Sequence, residues 1–208
     1  MASKSFLPTV YLHLLAGTAL TFGSSEYPLA TGPLYTIGTA IATFPILFAL
    51  FYLAPGPLKY AVAALFCAAL GQLMSTLVKR LEHKQLLTQV LVSTLGIFTA
   101  MSVVGFVDNQ NILGFGGYLL AGLIGLILAR VGLLIAMGVG TDSKSVSTFN
   151  TVLSWIGMAL FSVYVAFDTQ RLKIDARSKK APDYVQSSLG LYLDIINLFQ
   201  NVGMIADS

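Results

Sequence analysis

Residues 187–201 read SSLGLYLDIINLFQN and have the pattern of a helix with one polar edge. When each residue advances by about 100° around a helix, the small and polar side chains fall on a stripe roughly 80° wide. This polar stripe consists of Ser187, Gly190, Asp194, Asn197 and Asn201. The pattern suits a soluble amphipathic helix or a membrane helix whose polar edge faces protein, and the composition of the whole chain distinguishes the two.

The composition indicates an integral membrane protein. Of the 208 residues, 56% are hydrophobic and only 10% are charged, whereas soluble domains carry about 25% charged residues. Such chains cross the membrane as bundles of helices, because a helix satisfies its own backbone hydrogen bonds. We therefore expect an all-α fold with one polytopic domain over residues 1–208 and the lipid bilayer as its main partner. The net charge of +3 is small, and no nucleic-acid partner is expected.

Seven apolar stretches are long enough to cross a bilayer. They cover about residues 6–23, 34–53, 59–78, 85–107, 112–139, 146–168 and 184–206. A charged turn at 79–84 is expected to close the third span, and a basic loop at 170–183 to connect the last two. The fifth span repeats small residues four apart, which predicts close packing of helix backbones. These residues are Ala121, Gly125, Ala129, Gly132, Ala136 and Gly140.

The placement of lysine and arginine predicts the orientation, because cytoplasmic loops carry an excess of positive charge. With the N-terminus inside, the inner side holds Lys4, Lys59, Arg171, Lys173, Arg177, Lys179 and Lys180. The outer side then holds Lys79, Arg80, Lys84 and Lys144, while Arg130 lies within a span. Seven basic residues inside against four outside favour a cytosolic N-terminus. The charged turn at 79–84 argues against this orientation, because it places three of those basic residues outside.

Ionisable groups at membrane depth are candidates for function, because they are costly unless they pair or meet water. Asp194 lies near the middle of the seventh span, where Asn197 and Asn201 on the same stripe offer it hydrogen bonds. It could instead be a protonated group that only joins helices. Asp168 ends the predicted sixth span and could instead be an interfacial acid in water.

The two aspartates are 26 residues apart, and the short connection between their helices predicts antiparallel neighbours. Two carboxyl groups in contact cannot both stay ionised at low cost, so the pair is expected to share one proton. A shared proton would join the helices by a short charge-assisted hydrogen bond. The spacing therefore predicts a proton-sensitive latch between the last two helices.

Other polar residues allow two interpretations. Arg130 is either a counter-ion to an intramembrane aspartate or a long side chain that reaches the outer interface. Glu26, at the mouth of the first span, is either a solvated acid or a group that attracts cations. His13 is expected to be a packing residue. His13, His83 and Cys67 lack metal-ligand spacing, and no cofactor is expected.

Two segments resemble the signature stretches of the Bax inhibitor motif transmembrane family, FDTQRL at 167–172 and LYLDIINLF at 191–199. The resemblance implies six helices around a central seventh. It also implies a leak of Ca²⁺ down its gradient across a bacterial inner membrane or an endoplasmic reticulum or Golgi membrane. The paired aspartates that act as a pH sensor in the family map onto Asp168 and Asp194. Supporting matches run through 65–77, 94–102 and 113–129.

The resemblance also suggests a path for the ion. Hard divalent cations prefer oxygen ligands, and sparse ligation by the two aspartates would let an ion leave again. The other path-lining candidates are Ser187, Asn197, Asn201 and Glu26. The family's basic partner on the second helix is missing here, so Arg130 or Arg171 substitutes for it, or the aspartate pair alone forms the latch.

Three other functions compete with the leak. An intramembrane aspartyl protease also uses two aspartates on successive helices, but Leu193 stands where its glycine would precede Asp194, and no enzymatic activity is expected. A proton-coupled secondary transporter would use the same aspartates, but it favours an internal repeat and broken helices at the midplane, and the sequence shows no repeat. The third is a membrane scaffold that binds cell-death regulatory proteins, for which the sequence offers no interface signature.

Overall fold

A computed structural model of the protein describes residues 6–30, 32–107, 112–138, 142–177 and 183–208. The helices within these ranges are α1 Phe6–Glu26, α2 Pro33–Tyr52, α3 Pro57–His83, α4 Leu87–Val107, α5 Gly116–Gly138, α6 Ser143–Asp175 and α7 Tyr184–Asp207. A short 3-10 helix, Ile112–Phe115, precedes α5. All seven α-helices are long and apolar enough to cross a membrane. The predicted all-α membrane fold with seven spans is therefore confirmed. Lys4, Gly140, Lys179 and Lys180 lie outside the described residues.

Two helices extend beyond their predicted ends. The charged segment 79–83 is helical rather than a turn, and Leu81 within it is fully buried, so packing supports the last turn of α3. The sixth helix continues to Asp175, with Leu172 buried in the extension. Asp168 therefore lies inside α6, about two turns from its end, and the prediction that a loop begins at residue 170 was wrong.

The described chain falls into two compact units. The first contains the described residues between 1 and 83 and between 174 and 192, and the second contains those between 84 and 173 and between 193 and 208. Both α6 and α7 contribute residues to each unit. Within the apolar segment of α7, 56% of the residues are buried, compared with 11% to 39% for the other spans. The last helix is thus the most buried of the seven, a property expected of the helix that the family resemblance makes central.

In the first unit, α1 packs closely along α3. A Cβ atom at Gly71 would overlap the backbone oxygen of Thr21, so only glycine fits there without a shift. The Thr21 hydroxyl donates to the backbone oxygen of Cys67 at 3.1 Å, and the Ser24 hydroxyl donates to that of Ala68 at 2.9 Å. Small residues and hydroxyl groups at such contacts are typical of membrane helices that approach closely.

The small-residue repeat of α5 does not pack as predicted. A Cβ atom added at Gly125 or Gly132 would meet nothing within 4 Å. Large apolar side chains are exposed along this helix, with Leu134 66% exposed. Lipid tails are as apolar as leucine, so this surface needs no protein cover. The prediction of close packing through this repeat was wrong for the described chain.

Gly105 on α4 provides a close contact that the sequence did not reveal. A Cβ atom at Gly105 would overlap the backbone oxygen of Ala166 and lie 2.8 Å from the Cβ of Thr169 on α6. Because backbone atoms cannot move aside cheaply, we expect Gly105→Ala to lower the free energy of unfolding by about 1–3 kcal/mol. Thermal unfolding in detergent micelles measures this change.

Gly125→Ala is the matched control for this prediction, because the added methyl group would touch nothing. Alanine is a better helix former than glycine, so the control is expected to unfold at the wild-type temperature or slightly above it. Equal melting temperatures for Gly105→Ala and Gly125→Ala would contradict the close packing of α4 on α6.

Asp142 caps the N-terminus of α6. Its Oδ2 atom accepts hydrogen bonds from the backbone nitrogen of Ser145 at 3.0 Å and from the Ser145 hydroxyl at 3.1 Å. These two hydrogen bonds hold the pKa of Asp142 below its ordinary value of 3.8. The hydrogen bonds stabilise the charged form of Asp142, so the cap contributes fully to stability at pH values above the ordinary pKa of 3.8. The contribution is lost as the pH falls through the lowered pKa of the folded state.

We therefore expect Asp142→Ala to lower the melting temperature at neutral pH, and the difference from wild type to shrink in acid. Asp142→Asn keeps an oxygen acceptor at the capping position but does not titrate. Its deficit at neutral pH should be smaller than that of Asp142→Ala, and both deficits should shift by the same amount in acid, because the wild-type aspartate is the titrating group in both comparisons. A deficit for Asp142→Ala that stayed constant far below pH 3.8 would show that the charge of the cap contributes nothing.

Candidate functional site

Asp168 on α6 and Asp194 on α7 both belong to the second unit, and their charges interact. Asp194 is 3% exposed, and its Oδ2 atom has no hydrogen-bond partner among the described residues. Asp168 is half-buried. In the described part of the chain, no hydrogen bond joins the two carboxyl groups. The shared proton is therefore not seen as a bond in this conformation and stays a prediction.

The packing of α6 on α7 explains why the aspartates are neighbours. Ser154 on α6 lies against Met204 on α7, with 3.7 Å between Oγ and Sδ. Three residues further along α6, Gly157 faces the amide of Asn201, which lies three residues before Met204 on α7. The two helices are therefore antiparallel within this unit, as the short connection between them predicts.

Two further side chains act on the aspartate pair. Tyr164, one helical turn before Asp168, lies close enough to both aspartates for their charges to act on its hydroxyl group. The guanidinium of Arg171 acts on Asp168 and is itself exposed. Arg171 follows Asp168 by three residues on α6, and the ion pairs found among the described residues do not include it.

Arg130 on α5 is bound by neutral groups. Its Nη2 atom donates to Oδ1 of Asn201 at 2.7 Å, and its Nη1 atom donates to Oδ1 of Asn150 at 3.3 Å. Longer contacts of 3.5 Å reach the Ser154 hydroxyl and the Met204 sulfur. The ion pairs found among the described residues do not include Arg130. In the described part of the chain, Arg130 therefore contacts the polar stripe at Asn201, its last residue, and is paired with no aspartate.

The two asparagines of the polar stripe direct their amide nitrogens to their own helix. Nδ2 of Asn197 donates to the backbone oxygen of Leu193 at 2.8 Å, and Nδ2 of Asn201 donates to that of Asn197 at 2.7 Å. The expectation that these amides hydrogen-bond to Asp194 was wrong for this conformation. Helix backbone oxygens one turn earlier are the nearer acceptors.

The remaining predicted residues lie in the first unit. Ser187 is half-buried near the start of α7, and Glu26 is exposed as the last residue of α1. His13 packs between the rings of Tyr60 and Tyr184, with centroids 5.4 and 6.0 Å away, which confirms it as a packing residue. Within the described ranges, no group of three or more histidine, cysteine or acidic residues is arranged to hold a metal ion.

A buried ion pair in the first unit was missed by the sequence analysis. Nζ of Lys59 lies 2.6 Å from Oδ2 of Asp183, and it also donates to the backbone oxygen of Leu53 at 3.1 Å. The Lys59 side chain is 2% exposed and that of Asp183 is 26% exposed, so the ammonium is fully buried and the carboxylate is partly buried. Oδ1 of Asp183 accepts from the backbone nitrogen of Gln186 and so caps α7. The sequence can predict Asp183 as a helix cap, because an acidic residue directly precedes α7. Nothing in the sequence predicts its pairing with Lys59, which is 124 residues away.

Seven apolar spans, two of which carry an aspartate well inside the helix, define a polytopic helical membrane protein. The chain belongs to the Bax inhibitor-1 family. The sequence model described as inhibitor of apoptosis-promoting Bax1 matches residues 3–206, nearly the whole chain. The resemblance drawn from the two signature stretches is therefore confirmed.

Individual relatives include both bacterial and fungal proteins. An uncharacterized protein of Deinococcus radiodurans is 31% identical over 94% of this chain and 87% of its own length. The inner membrane protein YbhL of Escherichia coli is 37% identical over 52% of this chain and 46% of its own length. Bax inhibitor 1 of Schizosaccharomyces pombe is 30% identical over 73% of this chain and 54% of its own length. These similarities and the seven spans support an integral membrane protein.

Proposed function

We propose that this protein is a pH-sensitive leak that passes Ca²⁺ down its gradient across the membrane, with Asp168 and Asp194 as its pH sensor. The observation that carries the proposal is the buried carboxyl group of Asp194, whose Oδ2 is unpaired among the described residues and which lies within reach of a second acidic charge. Membership of the family supports it. The protein would act without a resident cofactor and without catalysing a reaction, because Ca²⁺ is its cargo.

The physical basis of the proposed sensor is the cost of charge at this position. A buried carboxylate without hydrogen bonds is unfavourable, and a second negative charge nearby adds repulsion that water screens poorly. One shared proton removes the repulsion and permits a charge-assisted hydrogen bond between α6 and α7. When acid supplies the second proton, that charge-assisted bond is lost, and we propose that the path then opens.

The polar stripe of α7 would provide the ion with oxygen atoms. The carboxyl oxygens of Asp194 and Asp168 belong to the class of hard ligands that Ca²⁺ prefers, and in the protonated open form they would bind the ion only weakly. Two carboxyl groups form no tight cage, and weak ligation permits an ion to leave as well as enter. We further propose a cytosolic N-terminus, in a bacterial inner membrane or an internal membrane of a eukaryotic cell.

A liposome assay tests the proposal. The purified protein is reconstituted with a Ca²⁺-sensitive dye trapped inside, and an inward Ca²⁺ gradient is applied at several pH values with equal pH on both sides. We expect Ca²⁺ to enter faster than into protein-free liposomes, and faster in acid. Entry that needs an imposed proton gradient would replace the leak with a proton-coupled transporter. Ca²⁺ entry that is no faster than in protein-free liposomes would overturn the proposal, and the membrane scaffold would remain as the competing function.

A further inference from the structure

We infer that Arg130 is an electrostatic gate on the path proposed above: it limits cation passage by occupying the oxygen of Asn201 and by placing a fixed positive charge beside the polar stripe. This inference rests on the proposed function. It concerns a residue that is not part of the aspartate pair, and it explains a cluster of polar side chains from α5, α6 and α7 that the pH sensor does not use.

The first observation is the absence of a negative partner for Arg130 among the described residues. Its acceptors are the amide oxygens of Asn201 and Asn150, with the Ser154 hydroxyl and the Met204 sulfur at longer range. Arginine keeps its proton in proteins, and charges at membrane depth normally pair with an opposite charge. The cluster therefore carries a net positive charge that its neighbours do not neutralise.

The second observation is that the side chain of Asn201 is fixed. It is 2% exposed, its nitrogen donates to the backbone oxygen of Asn197, and its oxygen accepts from Arg130 at 2.7 Å. On α6, Gly157 leaves the room that this amide fills, since a Cβ there would overlap it. A cation that approached this amide oxygen would therefore meet the guanidinium charge of Arg130 at hydrogen-bond distance from it.

The third observation is the position of the cluster relative to Asp194. Asn201 follows Asp194 by seven residues on the same stripe of α7, which corresponds to about 10 Å along the helix. A divalent cation leaving Asp194 along the stripe would next meet a like charge and an oxygen that is already occupied. Repulsion between like charges is strong where water is scarce. Arg130 is thus positioned to limit the flux beyond the aspartate pair.

Neutralising Arg130 tests this inference. Arg130→Gln removes the charge and keeps a polar side chain, so we expect Ca²⁺ flux in liposomes to rise on the order of tenfold. Arg130→Lys keeps the positive charge and is the matched control, with flux close to wild type. Flux in Arg130→Gln that is equal to or below wild type, in a wild type that does leak Ca²⁺, would overturn the gate while leaving the leak intact. If the wild-type protein showed no Ca²⁺ flux, both the gate and the proposed leak would be overturned.

Restoring the charge chemically gives a second test, which also serves if Arg130→Gln aggregates. Arg130→Cys is prepared together with Cys67→Ser, because Cys67 is the one cysteine of the chain. We expect a positively charged methanethiosulfonate reagent to return the raised flux toward the wild-type value, and a neutral reagent of similar size to leave it raised. A thiol that does not react, or a flux indifferent to the charge of the reagent, would overturn the inference, because a gate must meet the aqueous path.

Discussion

Asp194→Asn is expected to abolish the pH dependence of Ca²⁺ flux in reconstituted liposomes. The substitution keeps the size of the side chain and its oxygen acceptor but removes the group that titrates. With Asp194 neutral at every pH, the repulsion from Asp168 is absent throughout, and the proton can no longer change it. The measurement is the initial rate of Ca²⁺ entry over a range of pH, for the variant and the wild type at equal protein content.

The same experiment distinguishes a coupled pair from two independent acids. If the two aspartates titrate together, Asp168→Asn should also flatten the profile, and the double variant should behave like either single variant. Asp175→Asn is the matched control, because Asp175 is an exposed acid at the end of the same helix, α6. An unchanged pH profile in Asp194→Asn would remove this residue from the sensor.

Breaking the buried pair of Lys59 and Asp183 is expected to cause the largest loss of stability. Asp183→Asn keeps an oxygen for the backbone nitrogen of Gln186 but leaves the Lys59 ammonium without its negative partner. Removing one member of a buried ion pair typically costs about 3 kcal/mol or more. For a chain of this size, that corresponds to roughly 10 °C in melting temperature, measured by thermal unfolding in detergent micelles.

An ion pair with an exposed lysine provides the control. Nζ of Lys84 lies 2.9 Å from Oδ1 of Asp207, and the side chains are 48% and 14% exposed, respectively. Lys84→Met should therefore cost less than about 1 kcal/mol. In addition, the double variant Lys59→Met with Asp183→Asn should be more stable than the sum of the single losses implies. Additive losses, or an equal effect at Lys84, would contradict a buried charge pair as the source of the stability.

Composition predicts the number of spans well, because an apolar segment of about 20 residues has few stable alternatives to crossing the membrane as a helix. It predicts the ends of helices less well. The helical segment after Asp168 is charged, so hydropathy falls there, yet the helix continues because Leu172 is buried. Hydropathy therefore predicts the end of the apolar span, whereas the end of the helix depends on which of its side chains are packed against the protein.

The candidate site was predictable in part for a similar reason. The closeness of Asp168 and Asp194 follows from a short connection between two helices, which the sequence displays. The partners of Arg130 and Lys59 depend on how helices pack sideways, and no spacing along the chain encodes that. The failure of the α5 repeat has the same origin, since residues four apart identify one face of a helix but not what covers it.

The Oδ2 atom of Asp194, which has no hydrogen-bond partner in the described part of the chain, links the proton and the calcium ion of the proposed function. The Oδ2 atom that a proton would take is also the oxygen that a calcium ion would bind. Proton and cation would therefore be antagonists at one atom, and thermodynamic reciprocity requires that each weaken the binding of the other by the same factor. The acidity needed for half-maximal response would then depend on the calcium concentration, so the protein would register the ratio of the two ions rather than either one alone.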